Sequence, residues 1–121
     1  MTYTKYSASG NDFVIFHTFL EKDYTNDAIK LCNRTEGIGA DGLVVIVPSN
    51  DADFKWLFYN SDGSYASMCG NATRAVSHYA FSNNLVTSNE MEFLTGAGLI
   101  KSCVENDIVE TQLTASKVIK E

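Results

Sequence analysis

Short runs of apolar and β-branched residues predict that much of this chain forms β-strands. Runs of this kind lie at residues 2–6, 13–17, 43–47, 54–59, 90–95, 99–104 and 108–113. Between the first two runs, small and turn-forming residues at 7–12 predict the loop of a hairpin. In the run at 54–59 three aromatic residues alternate with Lys55, Leu57 and Tyr59, so this strand is predicted to carry much of the aromatic core.

Two segments change to the helical period. Asn26 is predicted to be the N-cap of a short helix that runs to Cys32, with Gly37 closing the region. From Asn71 to about residue 82 a second helix is predicted, because small and apolar residues fall on one narrow face, namely Ala72, Ala75, Val76, Tyr79 and Ala80. Alanine side chains let strands approach a helix closely, so we expect this helix to be covered by sheet.

The order of these elements predicts the fold class. Two strands, a helix, two strands, a helix and three strands follow one another, with hairpin-length connections almost throughout. This order favours an antiparallel α+β sheet over a doubly wound parallel sheet. A chain of 121 residues, 45% hydrophobic, is long enough for one core, and we expect residues 1–121 to form a single domain. The tail at 115–121 shows no strong pattern.

Charge and composition argue against several kinds of partner. Nine Lys and Arg against fifteen Asp and Glu give a net charge of -6, and no segment concentrates the basic residues, so nucleic acid is a poor partner. No apolar run approaches the roughly 18 residues of a membrane span, and the first residues lack the pattern of a signal peptide. We therefore expect a cytoplasmic location, with neither nucleic acid nor membrane as a partner.

The cysteines and histidines do not follow a metal-binding pattern. Cys32, Cys69 and Cys103 are widely spaced and contain no CxxC pair, which predicts reduced thiols and no metal site. His78 lies about two helical turns beyond Cys69, roughly 10 Å along the axis, so direct proton transfer between these two side chains is not expected. We predict structural roles for His17 and His78.

The strongest chemical signal is the position of Cys69 immediately before the second helix. The first N–H groups of a helix have no partner within it and carry about half a positive charge, so they stabilise a thiolate. Such a thiolate could act as a base or a nucleophile, while the N–H groups of Gly70 and Asn71 would hold an anionic group such as a carboxylate. The alternative is that Cys69 is simply a small buried side chain.

A glycine-rich segment at 37–42 precedes the strand at 43–47. It lacks the third glycine of a dinucleotide fingerprint and leads into a strand instead of a helix, so it predicts no nucleotide site. Its glycines are predicted to let the backbone pass close to a ligand or another loop.

Four motifs, taken together and in order, resemble the N-terminal half of the diaminopimelate epimerase family. They are Gly10-Asn11-Asp12-Phe13, Gly37-Ile38-Gly39-Ala40-Asp41-Gly42, Tyr59-Asn60-Ser61-Asp62-Gly63-Ser64 and Met68-Cys69-Gly70-Asn71. The resemblance covers residues 2–113. It implies an α+β fold with a mainly antiparallel curved sheet wrapped around a central helix, one of two pseudo-symmetric halves that face each other across a cleft.

The same resemblance implies a function. A cofactor-independent epimerase would interconvert LL- and meso-diaminopimelate for lysine and peptidoglycan biosynthesis: one thiolate removes the α-proton and a second thiol returns a proton to the opposite face. Cys69 would be one of the two thiols, Gly70 and Asn71 would hold the substrate carboxylate, and Asn11 and Asn60 would contact the substrate. The second thiol would come from a C-terminal half of a homodimeric parent protein, so this chain alone is expected to be inactive.

The chain departs from the pattern of the family at three places. Ala72 stands where the family usually has the second glycine of Gly-Asn-Gly, and residues 7–9 replace a common His-Gly-small sequence. Gly42 stands where some members place a substrate-contacting glutamine, so that contact is not carried over. Two other functions stay open at this stage: another cofactor-independent racemase, acting for example on proline or hydroxyproline, and a non-catalytic module that binds a carboxylate.

Overall fold

A computed structural model of the protein describes residues 3–8, 10–66, 69–105 and 108–113. Along these residues the elements are β1 (Thr4–Ala8), β2 (Asn11–His17), α1 (Thr25–Cys32), β3 (Gly42–Val47), β4 (Phe54–Asn60), α2 (Gly70–Ser82), β5 (Glu90–Thr95), β6 (Gly98–Glu105) and β7 (Ile108–Leu113). This order is the predicted one. The tail at 115–121 and Met68 of the fourth motif lie outside the described residues.

The seven strands form one sheet in which they lie side by side in chain order. Strands that follow each other along the chain after a short connection are antiparallel, as in β1–β2, β3–β4, β5–β6 and β6–β7. The pairs β2–β3 and β4–β5 are parallel. In each pair a helix, α1 or α2, returns the chain to the end of the sheet where the first strand of the pair began. The predicted α+β class with a mainly antiparallel sheet is therefore confirmed, and the sheet is mixed at its two helical crossovers.

Each helix packs against a different face of the sheet. The alanine-rich face of α2 lies in one core cluster with Phe54, Trp56 and Phe58 of β4, while α1 lies in the other with Tyr59. Along β3 the buried side chains alternate between the two clusters, since successive residues of a strand point to opposite faces. The prediction that sheet covers the alanine-rich face of α2 is confirmed. This packing holds the N-terminus of α2 at one end of the sheet.

The start of α1 differs from the prediction. The helix begins at Thr25, with Tyr24 in the N-cap position, so Asn26 lies inside the first turn and is not the N-cap. The reason is a local turn in which the Asp23 carboxylate accepts hydrogen bonds from the backbone N–H of Thr25 at 2.9 Å and from its hydroxyl at 2.6 Å. An aspartate can bond the backbone two residues further on, and here that bond moves the helix start.

A buried hydrogen bond between Tyr24 and Tyr59 predicts the effect of a single hydroxyl on stability. The backbone N–H of Tyr24 donates to the Tyr59 hydroxyl at 2.9 Å, and Tyr59 is 0% exposed. We expect Tyr59→Phe to lower the free energy of unfolding by about 1–3 kcal/mol, because it leaves a buried N–H without its acceptor. Urea unfolding measures this. Tyr3→Phe is the control, since Tyr3 is 40% exposed, and equal losses in both variants would contradict the prediction.

Candidate functional site

The ends of three neighbouring strands, β2, β3 and β4, meet at one end of the sheet. Asn11 opens β2, Gly42 opens β3 and Asn60 ends β4. The register pairs Phe13 with Gly42 and Gly42 with Asn60, which sets these strand ends side by side. Asn11 and Asn60, the two asparagines predicted to contact the substrate, thus lie at the same end of the sheet.

Asn11 lies in a strand, although the sequence predicts a loop over 7–12. The β1–β2 ladder continues past Phe13 through the pairs Ser7–Asp12 and Ala8–Asn11. Gly10 then makes the tight turn with a φ of 90°, a left-handed conformation that glycine adopts without strain. The strand backbone therefore fixes where Asn11 stands.

The start of α2 joins the same end of the sheet. Cys69 is the N-cap residue, in extended conformation, and its carbonyl oxygen accepts hydrogen bonds from the N–H of Thr73 at 3.0 Å and from its hydroxyl at 2.9 Å. In the first turn, the side-chain Nδ2 of Asn71 donates to Oδ1 of Asn11 at 2.8 Å. Three residues singled out in the sequence, Asn11, Cys69 and Asn71, are thereby brought together.

The surroundings of this helix start suit an anion. The first turn of α2 contains no acidic residue. A Cβ atom built on Gly70 would meet nothing within 4 Å, so the backbone at Gly70 borders open space. Helix N-termini attract negative groups through their unpaired N–H groups and the helix dipole. The arrangement is able to receive a carboxylate from the open side.

The thiol of Cys69 differs from the other two thiols. Cys69 is half-buried beside the core cluster around α2, and it makes no side-chain capping hydrogen bond to that helix. Cys32 is 2% exposed, and burial, with a smaller effect of the Asp41 carboxylate, raises the pKa of its thiol to about 11. Cys103 lies in β6, as predicted, with its sulfur 3.6 Å from Nδ2 of Asn89.

Asn60, the other asparagine predicted to contact the substrate, is held by its own turn. Its side-chain Nδ2 donates to the Ser64 hydroxyl at 3.1 Å, and its backbone N–H donates to the Ser64 carbonyl at 2.7 Å. Two hydrogen bonds from Ser64 to the Asp62 carboxylate close the turn and lower the pKa of Asp62. Asn60 is exposed at the same end of the sheet, and it takes no part in the hydrogen bond between Asn11 and Asn71.

An ion-pair network next to Asn11 was not predicted from the sequence. Arg34 lies 3.1 Å from the Asp41 carboxylate and 3.4 Å from that of Asp12. The two aspartates also bond each other's backbone, since the N–H of Asp12 donates to Asp41 Oδ2 and the N–H of Asp41 donates to the Asp12 carbonyl, both at 2.9 Å. The available signal was an aspartate next to Asn11 in the first motif and another next to Gly42 in the second.

The glycines of segment 37–42 allow a close approach of the backbone, as predicted, but the neighbours are the end of α1 and strand β4, not a ligand or another loop. Gly37 packs so tightly on the end of α1 that a Cβ atom there would overlap the carbonyl of Lys30. A Cβ atom on Gly42 would lie 2.9 Å from both the Phe58 ring and the Tyr59 carbonyl. Because position 42 is filled by its neighbours, a glutamine side chain does not fit there without a shift of β4.

Each histidine contacts a tyrosine hydroxyl, and one member of each pair belongs to α2. Nδ1 of His17 is 2.7 Å from the Tyr79 hydroxyl, and Nδ1 of His78 is 3.0 Å from the Tyr6 hydroxyl. Burial raises the pKa of both tyrosines, so their hydroxyls stay protonated at neutral pH. These contacts support the structural roles predicted for His17 and His78.

Two absences hold for the residues that the structure describes, 3–8, 10–66, 69–105 and 108–113. In these ranges no three His, Cys, Asp or Glu side chains come together as a ligand set for a metal ion. The helices of the same ranges are too short or too polar to cross a membrane.

Solved structures with the same fold include proteins of two different names. A phenazine biosynthesis protein of the PhzF family from Bacillus anthracis superposes with a TM-score of 0.64 at 19% identity, over 90% of this chain and 36% of that one. A methylitaconate-delta-isomerase superposes with a TM-score of 0.62 at 16% identity, over 87% of this chain and 36% of that one. At these identities the likeness shows the fold alone.

Sequence comparison identifies the family. A relative from a Nitratiruptor species, named diaminopimelate epimerase, is 58% identical over 98% of this chain and 47% of its own length. A relative of the same name from Campylobacter lari is 59% identical over 100% of this chain and 48% of its own length. The chain thus spans about half the length of these relatives. A family model described as diaminopimelate epimerase matches residues 3–118, and the chain belongs to that family.

Proposed function

We propose that residues 1–121 form one domain, the N-terminal half of a bacterial, cytoplasmic and homodimeric diaminopimelate epimerase. The whole protein would interconvert LL- and meso-diaminopimelate in lysine and peptidoglycan biosynthesis. The observation that carries this proposal is the 2.8 Å hydrogen bond from Asn71, two residues after Cys69, to Asn11. It gathers a thiol, a helix start and two amides at one point, which is what binding a carboxylate beside a reacting carbon requires.

Cys69 is one of two thiols in the proposed reaction. A thiolate on one side of the substrate takes the proton from the α-carbon and becomes a thiol. The thiol on the other side, supplied by the C-terminal half, gives its proton to the opposite face of the carbanion and becomes a thiolate. The centre is inverted, and the two sulfurs have exchanged protonation states, so no cofactor is consumed or required.

The helix start and the asparagines stabilise the carbanion in this proposal. An α-proton is weakly acidic, so the developing negative charge must meet fixed dipoles in a site that excludes water. The N–H groups of Gly70 and Asn71 hold the carboxylate beside the reacting carbon, and the amides of Asn11 and Asn60 orient the substrate. One half of the site supplies only one thiol, and the opposite face of the carbon stays open to water.

Deuterium incorporation at the α-carbon of diaminopimelate in heavy water tests this function. We expect exchange, together with conversion of the LL to the meso form, in a protein that joins this chain to a family C-terminal half. This chain alone is expected to show neither, because it lacks the second thiol. Absence of exchange in the joined protein would refute the epimerase function, and conversion of the LL to the meso form by this chain alone would refute the two-thiol mechanism.

A further inference from the structure

Arg74 continues the hydrogen-bond chain that links Asn71 to Asn11. Its guanidinium Nη1 donates to Oδ1 of Asn71 at 3.2 Å, and Nδ2 of Asn71 donates to Oδ1 of Asn11 at 2.8 Å. Arg74 is exposed and stands three residues after Asn71, the spacing that puts two side chains on one face of a helix. The three side chains form a single series in which each donates a hydrogen bond to the next, from the surface of α2 to the start of β2.

The direction of this series follows from the chemistry of its first member. An asparagine amide has two nearly equal ends, and either end can face a neighbour that both donates and accepts. A guanidinium only donates, so the end of Asn71 that meets Arg74 has to be the oxygen. The NH2 group of Asn71 then faces Asn11, and the end of Asn11 that meets it is again the oxygen.

We propose that Arg74 is a positioning residue that sets the direction of both amides and so turns the NH2 group of Asn11 toward the bound carboxylate. This inference rests on the proposed function, since it assumes that a carboxylate binds at the start of α2. With the opposite direction, Asn11 would present its oxygen to the anion and repel it. Arg74 thus acts on the substrate through Asn71 and Asn11.

A double-mutant cycle in the joined two-half protein tests this role. We expect Arg74→Met to lower kcat/KM for diaminopimelate about tenfold, mainly through KM, because one hydrogen bond to the substrate is misdirected. Arg74→Lys should recover most of the loss, since an ammonium group also only donates. An Asn71→Ala background removes the amide through which Arg74 acts on Asn11, so Arg74→Met should there change kcat/KM less than about twofold.

The same cycle separates positioning from simple attraction of charge. If Arg74 drew in the anionic substrate by its charge alone, the tenfold loss would persist in the Asn71→Ala background, and the proposal would be wrong. An unchanged kcat/KM in the single Arg74→Met variant would refute it equally.

A second measurement does not depend on activity. In this chain labelled with ¹⁵N, nuclear Overhauser contacts of the Asn71 NH2 protons should point to Asn11 in the wild type and in Arg74→Lys, and become mixed in Arg74→Met. An identical Asn71 orientation in all three proteins would overturn the role of Arg74. Failure of the epimerase function would instead appear as a joined wild-type protein without α-proton exchange, with the amide contacts unchanged.

Discussion

Replacing Cys69 by serine in the joined two-half protein is expected to slow α-proton exchange of diaminopimelate by about 10²–10⁴-fold, the usual contribution of a general acid or base. Serine keeps nearly the same size, but its hydroxyl is a far weaker acid than a thiol. The backbone at Cys69 should stay in place, because its carbonyl is held by Thr73. Deuterium incorporation in heavy water, followed by proton NMR, gives the rate.

Cys103→Ser is the matched control for this prediction. Cys103 is also half-buried and carries a reduced thiol, yet it lies in β6, away from the helix start. Its replacement should leave exchange unchanged within about twofold. Cys69→Ser should still bind diaminopimelate in calorimetry, which separates lost chemistry from lost folding. A Cys69→Ser protein that exchanges at the wild-type rate would remove Cys69 from the reaction.

Cys32 is expected to resist alkylation by iodoacetamide in the folded chain by more than about a hundredfold relative to the urea-unfolded chain. With a pKa of about 11, roughly one molecule in ten thousand carries the Cys32 thiolate at pH 7. In an unfolded chain an ordinary cysteine is a few per cent thiolate at that pH. Burial slows alkylation further, because only 2% of Cys32 is accessible to the reagent.

Peptide mass spectrometry during a time course measures this selectivity. Cys69 is half-buried and precedes an open helix start, so its peptide should be modified first, while the Cys32 peptide waits for unfolding. Cys69→Ser, treated in parallel, shows how much of the early label belongs to Cys69. Equal labelling of Cys32 in the folded and unfolded chain would contradict the burial of this thiol.

Strand positions could be predicted from the sequence because their signals are local. The strands at 90–95 and 108–113 were predicted with the bounds that the structure shows. Alternation places Phe54, Trp56 and Phe58 on one face of the sheet, and the structure finds all three in the cluster around α2. A period of two is a property of the extended backbone itself, so it does not depend on how the rest of the chain folds.

Element ends were less predictable because several local bonds compete there. Asn26 and Asp23 can both bond backbone near the start of α1, and the structure uses Asp23. At the first hairpin the turn-forming residues suggested a long loop, whereas the ladder continues to Ala8 and Asn11. The free energy of pairing two strands outweighs the turn preference of the individual residues, and neighbouring sequence does not record that balance.

By itself the sequence determined the order of the elements, the helix start after Cys69 and the motifs by which the family is recognised. Only the tertiary structure decided that β2–β3 and β4–β5 run parallel, that Arg34 ties Asp12 to Asp41, and that Asn71 bonds Asn11. The last contact joins residues 60 positions apart. A hydrogen bond depends on distances near 3 Å, which the packing of α2 on the sheet sets and no local pattern encodes.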